Sequence, residues 1–567
     1  MNNIDNILDK SGRVLISGCP EGFDSQILAH RALSGIEPIS ILHIARDETR
    51  LVTLAEELAF FAPGLEVLRF PAWDSVPYDR VSPHGEVVAR RVETLSKLAG
   101  KKDIGATPFI VITTVSAFLQ RVPPKSLFAG AAIDISPGGK VNLDEFTAFL
   151  VTNGYHRAET VREPGEYALR GGLIDIFPPG TLEPLRLDLF GDEVEDIRAF
   201  DPMTQLTTGK RESLTLIPVS EMTLDATSIT RFRTGYRELF GVAGSHDPLY
   251  EAISAGRRFD GMEHWLPLFH AEMACLSDYM PKNHALTFDH QAVEARTARL
   301  EMIDDYYEAR KAMTTTRQAM ELTYKPLPPK DLFLDAKEWE ALTLGRPVGV
   351  FSPFKTPQDT MPEDYRDSVD AGGRGGRDFS QERTRPEANL FDAVSDVIKG
   401  EKRPVVITAF SAGARERLTG LLNDHGIEKL VHVENWGDVQ SMAPSSAGLA
   451  VLPLDTGFRS PQALFISEQD ILGQRLARAT TRRRKAEDFI SEASSLTEGD
   501  LVVHVEHGVG RFDGLMTIDA GGAPHDCVQL TYEGGDKLFV PVENIEILSR
   551  YGSEGAGRLD KLGGASW

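Results

Sequence analysis

A short apolar run, Val14–Ser17, feeds into Gly18-Cys19-Pro20-Glu21-Gly22-Phe23-Asp24-Ser25 and then into a helical pattern. In strand–loop–helix order, this is where a phosphate-cradling loop stands. Such a loop needs GxxxxGK[ST]: the glycines let backbone N–H groups approach the phosphates, and the lysine neutralises them. Here the last glycine position carries Phe23 and the lysine position carries Asp24, followed by Ser25. An aromatic ring obstructs the cradle and a carboxylate repels a triphosphate. Gly18, Gly22, Phe23, Asp24 and Ser25 are therefore read as the remnant of a nucleotide loop that does not bind ATP. Gly209-Lys210 does not substitute for it, because position 204 is not glycine and Arg211 replaces the hydroxyl residue. No DExH or DExD sequence stands ready to hold magnesium, and no residue is assigned a catalytic role.

Other chemistry-bearing clusters read as structural. His504, Glu506 and His507 have the residue types of a metal site. His504 and Glu506 share one strand face, however, while His507 opens a glycine turn and no further ligand follows. No metal is expected. The three cysteines, Cys19, Cys275 and Cys527, form no CxxC spacing and are read as reduced thiols of a cytoplasmic protein. A net charge of −23 argues against a chain that grips nucleic acid over most of its surface. Gly372-Gly373-Arg374-Gly375-Gly376-Arg377 lacks interleaved aromatics and is read as part of a flexible linker. Arg482–Lys485 is read as the solvated face of a connecting helix. No apolar run approaches the roughly 20 residues that cross a bilayer.

The elements that must position these residues follow from periodicity. Strand-like runs at Val14–Ser17, Ile39–Ala45, Glu66–Phe70 and Phe109–Thr113 alternate with helical patterns near 25–34, 48–62 and 86–98. That order predicts a parallel sheet with covering helices. Short alternating strands then dominate, at Gly172–Phe177, Leu185–Phe190, Glu193–Phe200 and Ser213–Ile217. They predict a small antiparallel sheet. In Leu185–Phe190, Leu185, Leu187 and Leu189 share one face and should point inward. Arg186 and Phe190 are left on the open face, with Arg170 expected nearby on an adjacent strand. An exposed aromatic flanked by arginines has the composition of an interaction hot spot. The competing reading is that Phe190 caps a second small core.

Residues 228–325 read as mostly helical and 387–470 return to α/β alternation. From 498 to 550, several strands with glycine turns, including Gly499–Phe512, Val528–Tyr532 and Lys537–Val542, suggest a small SH3- or Tudor-like barrel.

The string from Gly165 to Asp201, GEYALRGGLIDIFPPG…LRLDLFGDEVEDIRAFD, is similar to the UvrA-binding domain shared by UvrB and the bacterial transcription-repair coupling factor family. The degenerate loop, Phe70–Asp79, Ser82-Pro83-His84 and Gly261–Phe269 also resemble the coupling factor. Gly499–Phe512 and the strands after it resemble its RNA-polymerase-interacting domain, shared with CarD-type regulators. Near the end, Lys561-Leu562-Gly563-Gly564-Ala565-Ser566-Trp567 resembles the string that in this family leads into a translocase motor. The resemblance covers essentially the whole chain but about half of the family protein.

The resemblance implies that Arg170, Arg186 and Phe190 contact UvrA. It implies that Val528, Leu530 and Tyr532 lie on a strand pairing with the polymerase β subunit. DNA, ATP and magnesium would belong to the motor, so this chain is expected to need no cofactor. The fold expected is multidomain α/β and α+β. Residues 1–125 and 219–335 form a UvrB-like α/β domain, and 126–218 an inserted UvrA-binding β domain. Residues 336–470 form a second α/β domain containing a flexible linker at 355–386, and 471–497 a linker helix. Residues 498–552 form the polymerase-interacting barrel and 553–567 a tail. The expected function is a monomeric adaptor in transcription-coupled excision repair. Two alternatives stay open: a UvrB-like ATP-dependent damage-binding helicase, and a CarD-like transcription regulator.

Overall fold

Near-continuous apolar strands demand cover on both faces, and the strands Ile41–Ala45 and Phe109–Thr114 are buried at every residue. They lie in a seven-stranded, all-parallel sheet. Its spatial order is Asp367–Asp370, Gly12–Ser17, Pro347–Phe351, Ala285–Phe288, Ile41–Ala45, Phe109–Thr114, Glu66–Phe70. The computed structural model describes residue 8 and residues 10–473, apart from 35–37, 79–80, 102–106, 242–246, 315–323, 356–363, 385–388 and 444–445. Further on it describes 499, 501–504, 507–520, 523–541 and 548–550. Two compact units divide the chain: residues 1–79 with 83–477, and 80–82 with 478–567.

Helices Phe23–Leu33, Glu48–Phe61 and Gly85–Gly100 flank the first sheet. Asp47 caps the second of these by accepting from the Arg50 N–H at 2.8 Å. Between the sheet's sequence-distant strands the chain inserts a six-stranded sheet. Its order is Thr207–Lys210, Glu193–Phe200, Leu185–Phe190, Leu173–Ile176, Glu166–Arg170, His156–Arg157. All its pairings are antiparallel except the last. Helix Leu143–Thr152 buries Phe146 and Leu150 in the same core as Leu185, Leu187 and Leu189. A largely helical segment from Ala226 to Thr314 packs around Phe232, Tyr236, Trp265 and Phe269. A second mainly parallel sheet has the order Arg374–Gly375, Phe458–Arg459, Leu464–Ser467, Val405–Ala409, Ala447–Val451, Leu430–His432.

Two expectations are corrected here, and a third is not shown. Residues 336–351 do not open the second α/β domain, because Pro347–Phe351 pairs with Gly12–Ser17 and Ala285–Phe288 inside the first sheet. A short buried strand carries no local signal for which sheet it joins. The segment 355–386 is not a free linker where it is described. Asp367–Asp370 forms the edge of the first sheet, and Arg374–Gly375 pairs with Phe458–Arg459 of the second. Lastly, the C-terminal strands run in the order Lys537–Pro541, Ala523–Thr531, Gly508–Ala520, Leu501–His504, Leu548–Arg550, and no ladder closes that sheet among the described residues. A barrel is therefore not shown. Of the linker helix expected at 471–497, the first two residues end the helix Glu468–Leu472, and 474–497, with Arg482–Lys485, lie outside the described residues, as does the tail.

Candidate functional site

The loop after the first strand is filled by one of its own side chains. Gly18 and Gly22 adopt φ of 62° and 87°, the left-handed region that glycine tolerates. The Gly22 and Ser25 N–H groups, which a phosphate would need, donate instead to Asp24 Oδ1 at 2.9 and 2.8 Å. The same carboxylate accepts from Arg50 Nη2 at 2.5 Å. Arg50 also donates to Glu57 at 3.0 and 3.1 Å, and Asp289 lies 4.0 Å away. All four side chains are no more than 2% exposed. Asp24 therefore does not face an open site, as its sequence position suggests. It is folded inward against an arginine from the next helix.

Three carboxylates around one buried arginine leave an excess of acid. Burial pushes the Glu57 carboxyl up to about 8, although Arg50 opposes the shift. Burial likewise raises Asp289 to about 6. Burial tends to lower Arg50, but Asp24 and Glu57 outweigh it and hold it well above its ordinary value.

The GGRGGR segment crosses directly over this loop. A methyl group at Gly373 would stand 2.7 Å from the Gly18 carbonyl oxygen, and closer still to the Phe23 ring. One at Gly376 would stand 2.7 Å from the Gly457 carbonyl. At Gly22, a methyl would meet Phe458 at 2.6 Å and Leu454 at 2.7 Å. Phe23 is fully buried, its ring 6.0 Å from that of Phe458. Farther along, Phe61 meets Trp436 at 5.7 Å and Phe465 at 5.8 Å between ring centroids. A strap and a whole second module thus cover the loop.

The second site is the outer face of the six-stranded sheet. Leu185, Leu187 and Leu189 point inward as their alternation required, and Phe190 is 76% exposed. Strand register runs Arg170, Leu173, Asp188 and Ala168, Asp175, Arg186, Arg198 across the sheet, so Arg170 and Arg186 share the Phe190 face. Phe190 and Arg170 both end strands that turn through two-residue hairpins, at Gly191-Asp192 and Gly171-Gly172. A second small core does exist on this face, but it is made of Val161, Ala168, Phe177 and Phe200. Sequence reasoning missed Asp175. Arg186 donates to it through Nε at 2.6 Å and Nη2 at 2.9 Å, with the guanidinium 4.7 Å over the Phe200 ring. Arg170 donates to the Glu159 carbonyl.

In the C-terminal unit, Val528, Leu530 and Tyr532 are buried together with Val502, Phe512 and Val540. Their strand is paired on both sides: Val528 faces Leu515 in one neighbour and Val540 in the other. It is therefore not an edge that could accept an added strand. The outer strand beside it is Lys537–Pro541, where Phe539 is 37% exposed. The His504 and His507 rings stack at 4.5 Å, and Glu506 lies outside the described residues. Among the described residues no group of three His, Cys, Asp or Glu could hold a metal, and no helix is long and apolar enough to cross a membrane. All three cysteines are buried thiols.

Comparison with known proteins follows this geometry. Residues 133–222 match the family described as the UvrB interaction domain, 398–471 the MFD D3 domain, and 496–552 the CarD-like/TRCF RID domain. A transcription-repair-coupling factor of Rickettsia bellii is 31% identical over 527 residues, covering 92% of this chain and 44% of the relative. That of Escherichia coli is 30% identical over 93% of this chain and 44% of its own length. That of Bacillus subtilis is 26% identical over 100% of this chain and 49% of its own. The chain thus spans less than half the length of these curated relatives. With all three domain models matched in one chain, and a likeness running along more than nine-tenths of it, the chain corresponds to a portion, less than half in length, of the transcription-repair-coupling factors.

Proposed function

We propose that this chain is the recognition portion of a factor for transcription-coupled excision repair. It holds RNA polymerase through its C-terminal sheet and recruits UvrA through the Arg170/Arg186/Phe190 face. The observation that carries the reading is Phe190, a large aromatic left 76% exposed on the face it shares with Arg170 and Arg186, in the segment that matches the UvrB interaction domain. For polymerase, the match to the CarD-like/TRCF RID domain supports a contact with the β subunit by strand addition. Among the described residues Lys537–Pro541 is the outer strand whose backbone would make that contact, with the Val528–Tyr532 strand as its support.

The chain itself turns over no ATP, since Asp24 holds the loop amides that a nucleotide would need. ATP, magnesium and DNA belong to motor domains of the longer family proteins, and the protein acts as a cytoplasmic monomer. Retention of UvrA on the immobilised chain tests this function. Binding by the unaltered chain that is lost in Arg186→Glu and kept for polymerase is expected. Equal UvrA retention by both chains would overturn the assignment of the face.

A further inference from the structure

On the outer face of the six-stranded sheet, cations and carboxylates are matched in pairs. Arg198 donates to Asp188 at 2.6 Å, and Lys210 lies 3.1 Å from Asp196. Those carboxylates are partly exposed, and such pairs contribute little. The Arg186–Asp175 pair differs. The Asp175 side chain is only 4% exposed and lies directly across the ladder from Arg186. Ala168, its neighbour on the other side, is small, and Phe200 lies beneath the guanidinium. Replacing such a buried pair by apolar residues is often neutral or stabilising. Stability alone therefore does not explain an aspartate buried between Ala168 and Arg186 in the ladder.

The pair does fix a geometry. The Nε and Nη2 edge is committed inward to both Asp175 oxygens, and Phe200 sets the plane of the guanidinium. Nη1 has no protein partner among the described residues, and the side chain keeps 20% exposure.

We propose that Asp175 is a positioning residue of the partner-facing surface. It presents Arg186 pre-oriented, with one edge spent and the Nη1 end turned outward, to a carboxylate or carbonyl of the partner that approaches end-on beside the pocket receiving Phe190. This rests on reading the face as the UvrA contact. Pre-orientation removes the rotamer cost that a free arginine would meet on binding.

The test is a double-mutant cycle on the full chain, measuring UvrA affinity for Asp175→Asn, Arg186→Ala and both together. Asp175→Asn should weaken binding about tenfold or more, as should Arg186→Lys, which keeps the charge without the fork. Added to Arg186→Ala, Asp175→Asn should cost less than about twofold, because its effect passes through the arginine. An equal cost in both backgrounds, or none in either, overturns the proposal. A second measurement does not depend on UvrA. The Arg186 Nε–H should give a resolved, exchange-protected NMR resonance that disappears in Asp175→Asn while the melting temperature holds. An unprotected Nε–H in the unaltered chain overturns the positioning role. Absence of UvrA binding by the unaltered chain, with Nε–H protected, overturns the proposal as a partner-facing device and the reading of the face together. Binding lost in Phe190→Ala but kept in Asp175→Asn overturns the positioning role alone.

Discussion

The Asp24 carboxylate lies 2.5 Å from the Arg50 guanidinium, with both side chains almost wholly buried at the mouth of a loop shaped for phosphate. The pair is intramolecular and joins the loop to the helix Glu48–Phe61. The two loop N–H groups are satisfied at the same time by the other carboxylate oxygen.

Restoring the missing lysine should therefore not restore nucleotide binding. Asp24→Lys sets a second cation against Arg50 and leaves it buried with one fewer carboxylate. A loss of about 3–5 kcal/mol is expected, as when a buried pair is broken. Denaturant unfolding, together with titration of a fluorescent ATP analogue, checks both parts. Measurable nucleotide affinity in Asp24→Lys would show that the loop is not sealed.

The glycines of the strap should not be interchangeable. Nothing lies within 4 Å of a methyl group placed on Gly375, whereas Gly373 meets backbone and ring. Gly375→Ala should stay within about 0.5 kcal/mol of the parent. Gly373→Ala should lose about 1–3 kcal/mol through overpacking. Similar thermal midpoints for the two variants would contradict the crossing described.

The excess of buried acid gives a pH signature. Glu57 titrates near 8 in the folded chain, above its unfolded value of about 4.5. A carboxyl raised on folding binds its proton more tightly in the native state. Its contribution is present below about 4.5 and is lost as pH rises towards 8. Glu57→Gln mimics the protonated form, so it should be near neutral at about pH 4 and increasingly more stable than the parent as pH rises to about 8. The slope removed is at most about 1.4 kcal/mol per pH unit. Parallel stability curves for parent and variant would rule this out.

In the C-terminal sheet, exposed and buried positions should separate polymerase contact from folding. Phe539→Asp should cut retention of the polymerase β subunit about tenfold or more and leave the melting temperature unchanged within a few degrees. Val528→Asp buries a charge in the small core and should unfold the unit. If Phe539→Asp binds polymerase normally, the added strand lies elsewhere.

How far these features could be read from sequence varied with the range of the interactions involved. Leu185, Leu187 and Leu189 inward and Phe190 outward follow from a period of two, because that pattern is set within one strand. The defective loop was equally plain, since Phe23 and Asp24 stand next to each other. Arg50 was not, because nothing local says which cation 26 residues away will meet Asp24. Nor could Asp175 be found without the register that sets it opposite Arg186. The Val528 strand has an ordinary β pattern, and only the pairing on both sides shows that it is interior. Gly372–Arg377 looked like solvent-swollen linker, since glycine marks both flexible chain and close approach.

That last ambiguity has a consequence for how such loops are read. In an active nucleotide loop, glycine is kept so that a ligand can come close. Here Gly18, Gly22, Gly373 and Gly376 are kept bare by neighbouring parts of the same polypeptide. A run of glycines in a strand–loop–helix order therefore marks close approach, and the approaching atoms here belong to the chain itself.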